Sequence, residues 1–476
     1  MTACKHHTRL VVLLLVALVM LNACTILTDH EPSELSIPVP ASWNDETTEG
    51  EISAAWLETF DDTALHELVK TTISNNYSQQ IALSRVNAAR SQLAVSRSDL
   101  WPQISASFNA SRRKSTFDIG FGVQQNLNNS FGLSLASISW EADLWGRLSD
   151  QNKASLLDYQ ATTNDYRSAR LSLAANVAKQ WFNAVEAKLQ VELASGTLNN
   201  FKASLEIIEE GYLVGINQAL DVHLARTNVA NAESTLNAQK ARQDTVMRSL
   251  QLLAGVYPMP NMALPNQLPT INTAIPAGVP AELLLRRPDI NASLLRLQAS
   301  ASRVDIAKKN RLPRISLTGS TGSSSDELQN LLDLDFLIWT LAGNISAPIF
   351  QGGRLKANQA IAEYRSDEAF LNYANTVLNA LVEIEGTLYS EPLLLQQEQA
   401  LAKAVAESEA AEELADSQYS SGLVDIITLL DTQRRLFSSR SALLSVRNQR
   451  LQNRIDLHLA LAGEYLATPH AGQLIE

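Results

Sequence analysis

Several things are scarce in this 476-residue chain, and each scarcity excludes something. Cysteine occurs twice, as Cys4 and Cys24. Loss of an N-terminal leader ending before Cys24 would leave one thiol, so neither a disulfide framework nor a thiolate zinc site is available. Long apolar runs are missing too. The run Leu10–Leu21 holds 12 residues, against the ~20 a membrane-crossing helix needs. Bases are outnumbered, with 38 Lys and Arg against 50 Asp and Glu and a net charge of −12. Phosphate binding needs clustered bases, so nucleic acid is excluded as a partner. There is no H-E-x-x-H, G-x-S-x-G, P-loop or C-x-x-C pattern. His30, His66, His223, His458 and His470 are scattered and read as isolated side chains, His223 as a helical surface residue. The chain therefore reads as a non-enzyme without a metal.

The short apolar run follows Lys5 and Arg9 and ends in small residues, the layout of an export leader. Leu21-Asn22-Ala23-Cys24 resembles the lipobox of bacterial lipoproteins, which implies cleavage after residue 23 and a diacylglyceryl group on Cys24. An ordinary leader with a cysteine near the cut is the plainer reading. Two acyl chains anchor a protein stably where one is marginal. In such lipoproteins an Asp after the Cys retains the protein at the inner membrane, so Thr25 implies the outer one. No cofactor is expected beyond this covalent lipid. Without Lys5 and Arg9 the net charge becomes −14.

Residues 24–60 read as a polar tether punctuated by Pro32, Pro38 and Pro40. A helical pattern starts at Thr63 and stops at Trp101-Pro102, since the residue before a proline disfavours helix. Residues 101–143 then alternate with period two: Ile104, Ala106, Phe108 and Ala110, later Phe131, Leu133 and Leu135, with Ile138 and Trp140 after a shift of one. This predicts a β-hairpin with a long Gly- and Asn-rich loop over 118–130. From Leu144 to Leu253 there is no proline. That stretch predicts two long helices, of roughly 60 and 35 residues, reversing near Gly215.

Six prolines fall in 256–281, read as a linker. The programme then repeats over 282–463: a helix, a hairpin at about 313–350, and long helices reversing near Gly422. Residues 464–476 are a tail. Trp101-Pro102-Gln103-Ile104-Ser105 matches Leu312-Pro313-Arg314-Ile315-Ser316, and Ala254-Gly255 matches Ala462-Gly463, all in one order. The repeats are 61–255 and 282–463. Each supplies one hairpin, so one chain has four strands. Membrane barrels close with about eight or more strands and leave no edge. Three chains would supply twelve.

At this point the residues resemble a family, the outer-membrane factors: TolC-like channels of tripartite efflux systems, in the lipoprotein branch called NodT-like. The carrying stretches are "WLETFDDTALHELV" (56–69), "DLWGRL" (143–148), "ELLLRRPDI" (282–290), "PIFQGGRL" (348–355) and "GLVDIITLLDTQRRLF" (422–437). The resemblance implies a mainly α homotrimer with a twelve-stranded outer-membrane β-barrel and a helical barrel reaching into the periplasm. It implies a passive exit duct for small molecules such as drugs, coupled to a periplasmic adaptor and an inner-membrane transporter, with RND-type transporters favoured. A duct for type I protein secretion and a non-conducting, lipid-anchored coiled-coil scaffold are the alternatives.

The two helix reversals are the candidate gate. Gly215 and Gly422 supply the positive φ of helix ends. By resemblance these tips form the periplasmic constriction. Asp221, Asp425 and Asp431 would repeat around a trimer axis as carboxylate rings that favour cations. Thr428 stands where the family carries a second acid. Tyr419 matches a family tyrosine that bonds an acid at the position of Asp221, so a Tyr419–Asp221 latch is expected. The plainer reading is acids at helix starts, held by the helix dipole. Arg286-Arg287-Pro288-Asp289 reads as a helix start rather than a ligand site. Pro392 should kink or break its helix.

Overall fold

The computed structural model describes Trp43 and residues 55–118, 120, 122–257, 262–271 and 286–461. The leader and Cys24 lie outside the described residues. Seven α-helices and four strands are described: α1 (Thr63–Asn75), α2 (Tyr77–Ser98), β1 (Gln103–Asp118), β2 (Val123–Ala142), α3 (Arg147–Leu213), α4 (Ala219–Leu253), α5 (Pro288–Lys309), β3 (Arg314–Ser325), β4 (Leu337–Ser346), α6 (Arg354–Ser420) and α7 (Ile426–Ala460). The pattern of long and short helices is the same in each half: α3 and α6 are both 67 residues, and α4 and α7 both 35. At 1.5 Å per residue the longer pair extend ~100 Å. The chain divides into two compact units: one holds 85–163 and 292–374, the other the remaining described residues.

The first unit is built on one antiparallel sheet in the order β1-β2-β3-β4. Strand partners share a face, so the register sorts the side chains. Ile104 pairs with Ile138, Trp140 with Leu317, and Ile315 with Ile345, giving one apolar face. Ser105 pairs with Ser137, and Ser320 with both Ser137 and Thr340, giving a face of small polar residues. Both pairings of β2 slip around Leu135, between Ser134 and Ala136 against β3 and between Ser134 and Ser137 against β1. That bulge is the cause of the one-residue shift in the sequence alternation, and it keeps Leu133 and Ile138 on the same face.

The first hairpin differs from its expected form. Beyond the bulge, pairing runs unbroken from Ser107–Ser134 to Asp118–Val123, so 123–130 is strand and the loop is short. The Asn residues of this stretch stand opposite Ser and basic residues of β1, as in Arg112–Asn129 and Ser115–Asn126. Polar side chains on a strand with no packed core give no apolar alternation to read.

The second unit is helical. Trp56, Leu57 and Phe60 sit in a short 3-10 turn and pack with Trp181, Phe182 and Ile455. Asp62 ties this segment down. One carboxylate oxygen caps α1 by accepting the Leu65 N–H, and the other accepts the Trp181 indole N–H at 2.7 Å. The single helix expected from Thr63 breaks at Asn76, which is extended there. Its side chain accepts from the Gln79 N–H and donates to the Leu253 carbonyl. A buried amide satisfied on both sides outweighs the local helical pattern. Pro392 lies inside α6, and the helix continues through it. Within the proline-rich linker, 262–271 is held down. Lys188 donates to the carbonyls of Leu264 and Pro265 and to Asn266 Oδ1, while Met262, Leu264, Leu268 and Ile271 pack on the core.

Helices α3 and α7 run antiparallel across a polar seam. Gln452 donates to the Lys179 carbonyl, Asn448 to Asn183, Ser445 to Glu186 and Ser441 to Gln190. Each three- or four-residue step along α3 is matched by an equal step back along α7. Glu186 and Gln190 are almost fully buried, and Glu186 also accepts from Arg242 of α4. Such buried polar pairs fix one register, because any slip leaves them unpaired.

His458 lies against Trp56, the rings stacked at 5.6 Å, with neither nitrogen hydrogen-bonded. Burial, and then the nearby Arg454 charge, push its pKa down to about 3. The imidazole is therefore neutral in the fold, and the unfolded chain binds the extra proton below pH ~6.5. Stability falls as pH drops from there toward 3, by about 1.4 kcal/mol per unit from this residue alone. In His458→Phe the stack is kept and that slope disappears. Thermal unfolding of both proteins between pH 7 and 5 measures it, and parallel curves would refute the assignment.

Candidate functional site

The site is the pair of reversals at which α3 passes to α4 and α6 to α7. Both use the same cap. Gly215 (φ 82°) donates to the Tyr212 carbonyl and Ile216 to the Gly211 carbonyl. Gly422 (φ 70°) donates to the Tyr419 carbonyl and Leu423 to the Gln418 carbonyl. These are Schellman caps, which need a left-handed residue and so favour glycine. Behind them Ile208, Val222, Ile426, Leu429 and Leu430 form a core shared by the four helices.

The three acids are each occupied locally. Asp221 accepts the Gln218 N–H at 2.8 Å in the first turn of α4. Asp425 is the N-cap of α7, accepting the Thr428 N–H at 2.9 Å and the Thr428 hydroxyl at 2.8 Å. Those two bonds, the backbone one first, hold its carboxyl below the usual range. Thr428, where the family's second acid would stand, thus serves Asp425. Asp431 accepts from Arg435 at 2.7 Å and from Arg434 at 2.9 Å. The Arg435 bond is the main reason its carboxyl is also held low. One carboxylate beside two guanidiniums leaves that turn of α7 net positive, opposite in sign to the expected acidic ring.

The expected Tyr419–Asp221 bond is not formed. Tyr419 donates instead to Asn217 Oδ1, at a long 3.5 Å. Burial raises the phenol's pKa, and the Asp221 charge adds to that. Asp221 is therefore near enough to be felt but is turned to its own helix start. Asn217 is the residue that sequence reasoning missed. Its amide also donates to the Ile208 carbonyl, closing the first reversal. Its place between glycine and a helix start was the only available signal.

Arg287 is structural. Its guanidinium bonds both oxygens of Asp289, and it also reaches Glu383 of α6 and the carbonyl of Ala460 at the end of α7. Pro288 opens α5. Among the described residues no group of three or more His, Cys, Asp or Glu side chains could hold a metal, and no helix is long and apolar enough to cross a membrane.

The family model "Outer membrane efflux protein" matches residues 68–256 and 279–463. This chain belongs to the outer membrane efflux protein family. It is similar to the solvent efflux pump outer membrane protein SrpC of Pseudomonas putida, 30% identical over 94% of this chain and 97% of that one. It is similar to outer membrane protein OprJ of Pseudomonas aeruginosa, 32% identical over 94% and 95%. Among solved structures, the CmeC outer membrane channel of Campylobacter jejuni superposes with a TM-score of 0.84 at 26% identity, covering 93% of this chain and 95% of that one. The two matched segments of the family model fall on the two halves of the internal duplication, and the fold is that of TolC-like channels. Family channels are passive conduits in tripartite efflux systems, working with a periplasmic adaptor and an inner-membrane transporter.

Arg287→Ala removes a cation that ties the start of α5 to α6 and the end of α7. The expected loss is about 2 kcal/mol, below the ~3–5 of a fully buried pair because its carboxylate partners are partly exposed. Burial alone would raise the Asp289 carboxyl, but the Arg287 bonds and charge bring it below its ordinary value. That stabilisation is present above pH ~4 and lost as pH falls through the lowered pKa. Denaturation of wild type and variant should therefore show a deficit at pH 7 that narrows below pH 4.

Proposed function

We propose that three copies of this chain form the outer-membrane exit duct of an RND-type efflux pump for drug-like small molecules, held also by lipid on Cys24. The observation that carries this reading is the sheet. It has an apolar face, a Ser- and Thr-rich face, and two unpaired edges, β1 and β4. In a bilayer every backbone group must be bonded, so four such strands are stable there only inside a larger closed barrel. The polar face then lines the path and the apolar face meets lipid. The names of relatives such as the solvent efflux pump protein SrpC support small-molecule cargo. A coiled-coil scaffold has no use for such a sheet.

Native mass spectrometry of the protein extracted from its own membranes tests both parts. A trimer with three acylated N-termini is expected, and Cys24→Ala should lose the acyl mass and remain a trimer. A lipidated monomer would overturn the duct, and an unmodified trimer would overturn the lipid anchor alone.

The tips form the gate in this reading, with Asp425 and Asp221 as its charged groups and Asn217 as the partner of Tyr419. Asparagine caps helices as well as aspartate does. Asp425→Asn should therefore leave the first turn of α7 as protected from hydrogen exchange as in wild type, yet weaken cation selectivity in planar bilayers. Asp425→Ala should lose both. Unchanged selectivity in both variants would reduce Asp425 to a cap.

A further inference from the structure

The apolar face of the sheet has a measurable height. Along β2 it runs from Ala142 through Trp140, Ile138 and Leu133 to Phe131. Allowing for the bulge, that is about 34 Å of strand, or ~26 Å across a membrane at the ~40° tilt of barrel strands. Membrane barrels carry an apolar band ~25 Å tall. Phe131 and its partner Ala110 thus mark one edge of the lipid-facing band. The next positions on the same face of β1 are Arg112 and Lys114, opposite Asn129 and Leu127. Both bases are exposed. Among the described residues neither side chain has an ion-pair or hydrogen-bond partner. The acid nearest in sequence, Asp118, lies at the hairpin end, where it bonds the Gly120 N–H. The other end of the band adjoins the end of α2 and the start of α3, so the two bases lie at the opposite end of the sheet from those two connections.

We propose that Arg112 and Lys114 form a binding site for the phosphate groups of outer-leaflet glycolipid, such as lipid A, on the outer wall of the barrel. This rests on the proposed duct, which puts the helices in the periplasm and this hairpin outside. The chemistry fits the place. A guanidinium binds phosphate with paired N–H donors. A lysine beside a leucine lays its stem on apolar surface while its ammonium reaches the headgroup layer. Arg113, between them in sequence, points to the opposite face and is not part of the site.

The test uses purified trimer in nanodiscs, titrated with bisphosphorylated or dephosphorylated lipid A and followed by native mass spectrometry. Wild type should bind the bisphosphorylated lipid more tightly. Arg112→Gln and Lys114→Gln should each weaken that binding roughly fivefold, about the effect of one base at an anionic membrane surface. The double variant should no longer discriminate, and Arg113→Gln should bind as wild type. Equal binding of the two lipids by wild type, or an unaltered double variant, overturns the site. So does displacement of the lipid by millimolar inorganic phosphate, which would mark a free-anion site. Dissociation of the double variant to monomers in detergent also overturns it, because the bases would then pair with a neighbouring copy. Conductance of the same samples keeps the two readings apart: a wild-type protein that is monomeric or non-conducting refutes the duct, not the lipid site.

Discussion

The unpaired edges of one four-stranded sheet constrain everything else in this chain. Among the described residues, the backbone donors and acceptors on the outer edges of β1 and β4 have no strand partner inside one copy, and hydrocarbon offers none. The constraint is met by symmetry rather than by a longer chain. A closed arrangement of copies pairs each β4 with the next β1 and abolishes the edges together. The composition of the sheet follows from this. Ser, Thr and Gly on one face leave the lumen open and wet. Ile, Leu, Phe and Trp on the other would be an aggregation hazard in water and are an asset in lipid.

Duplication solves the matching problem in the helices. A 67-residue helix and a 35-residue helix from each half form hairpins with equivalent caps, and the halves meet where α3 lies against α7. A smooth apolar seam of that length would tolerate sliding by a turn. The partly buried Asn183–Asn448 and Gln190–Ser441 bonds do not, since a slip would strand each of these groups without a partner. Surface pairs such as Arg226–Glu209 and Arg440–Glu409 brace each hairpin and contribute little individually. Register is therefore set by the few polar groups at least partly shielded from water between the helices.

Much of this was legible from the sequence because it is written in periods and punctuation. Proline-free stretches marked α3 and α4, and a one-residue slip in alternation marked the bulge at Leu135. What was not legible depends on partners distant in sequence. The break at Asn76 is set by the carbonyl of Leu253, 177 residues away. Strand 123–130 is held by pairing to polar residues of β1 rather than by its own pattern. At the tips, glycine spacing located both reversals. The partner of Tyr419 could not be read, because Asn217 and Asp221 lie four residues apart on either side of the helix start and only the fold chooses between them.

The acids at the tips show why a charge in the right place is not yet a gate. Asp425 and Asp221 each have a sufficient structural reason to exist, since a helix start exposes unpaired N–H groups and a carboxylate satisfies them. A capping carboxylate keeps its charge, however, and with its pKa held low Asp425 remains ionised at any physiological pH. The same bond that anchors the helix thus fixes the charge in position and prevents it from being titrated away. Asp431 is the contrast, because its charge is already answered by Arg434 and Arg435 on its own helix. In the proposed gate, selectivity should then depend on acids whose partners among the described residues are backbone amides and hydroxyls. Asp425 and Asp221 meet that condition, and Asp431 does not.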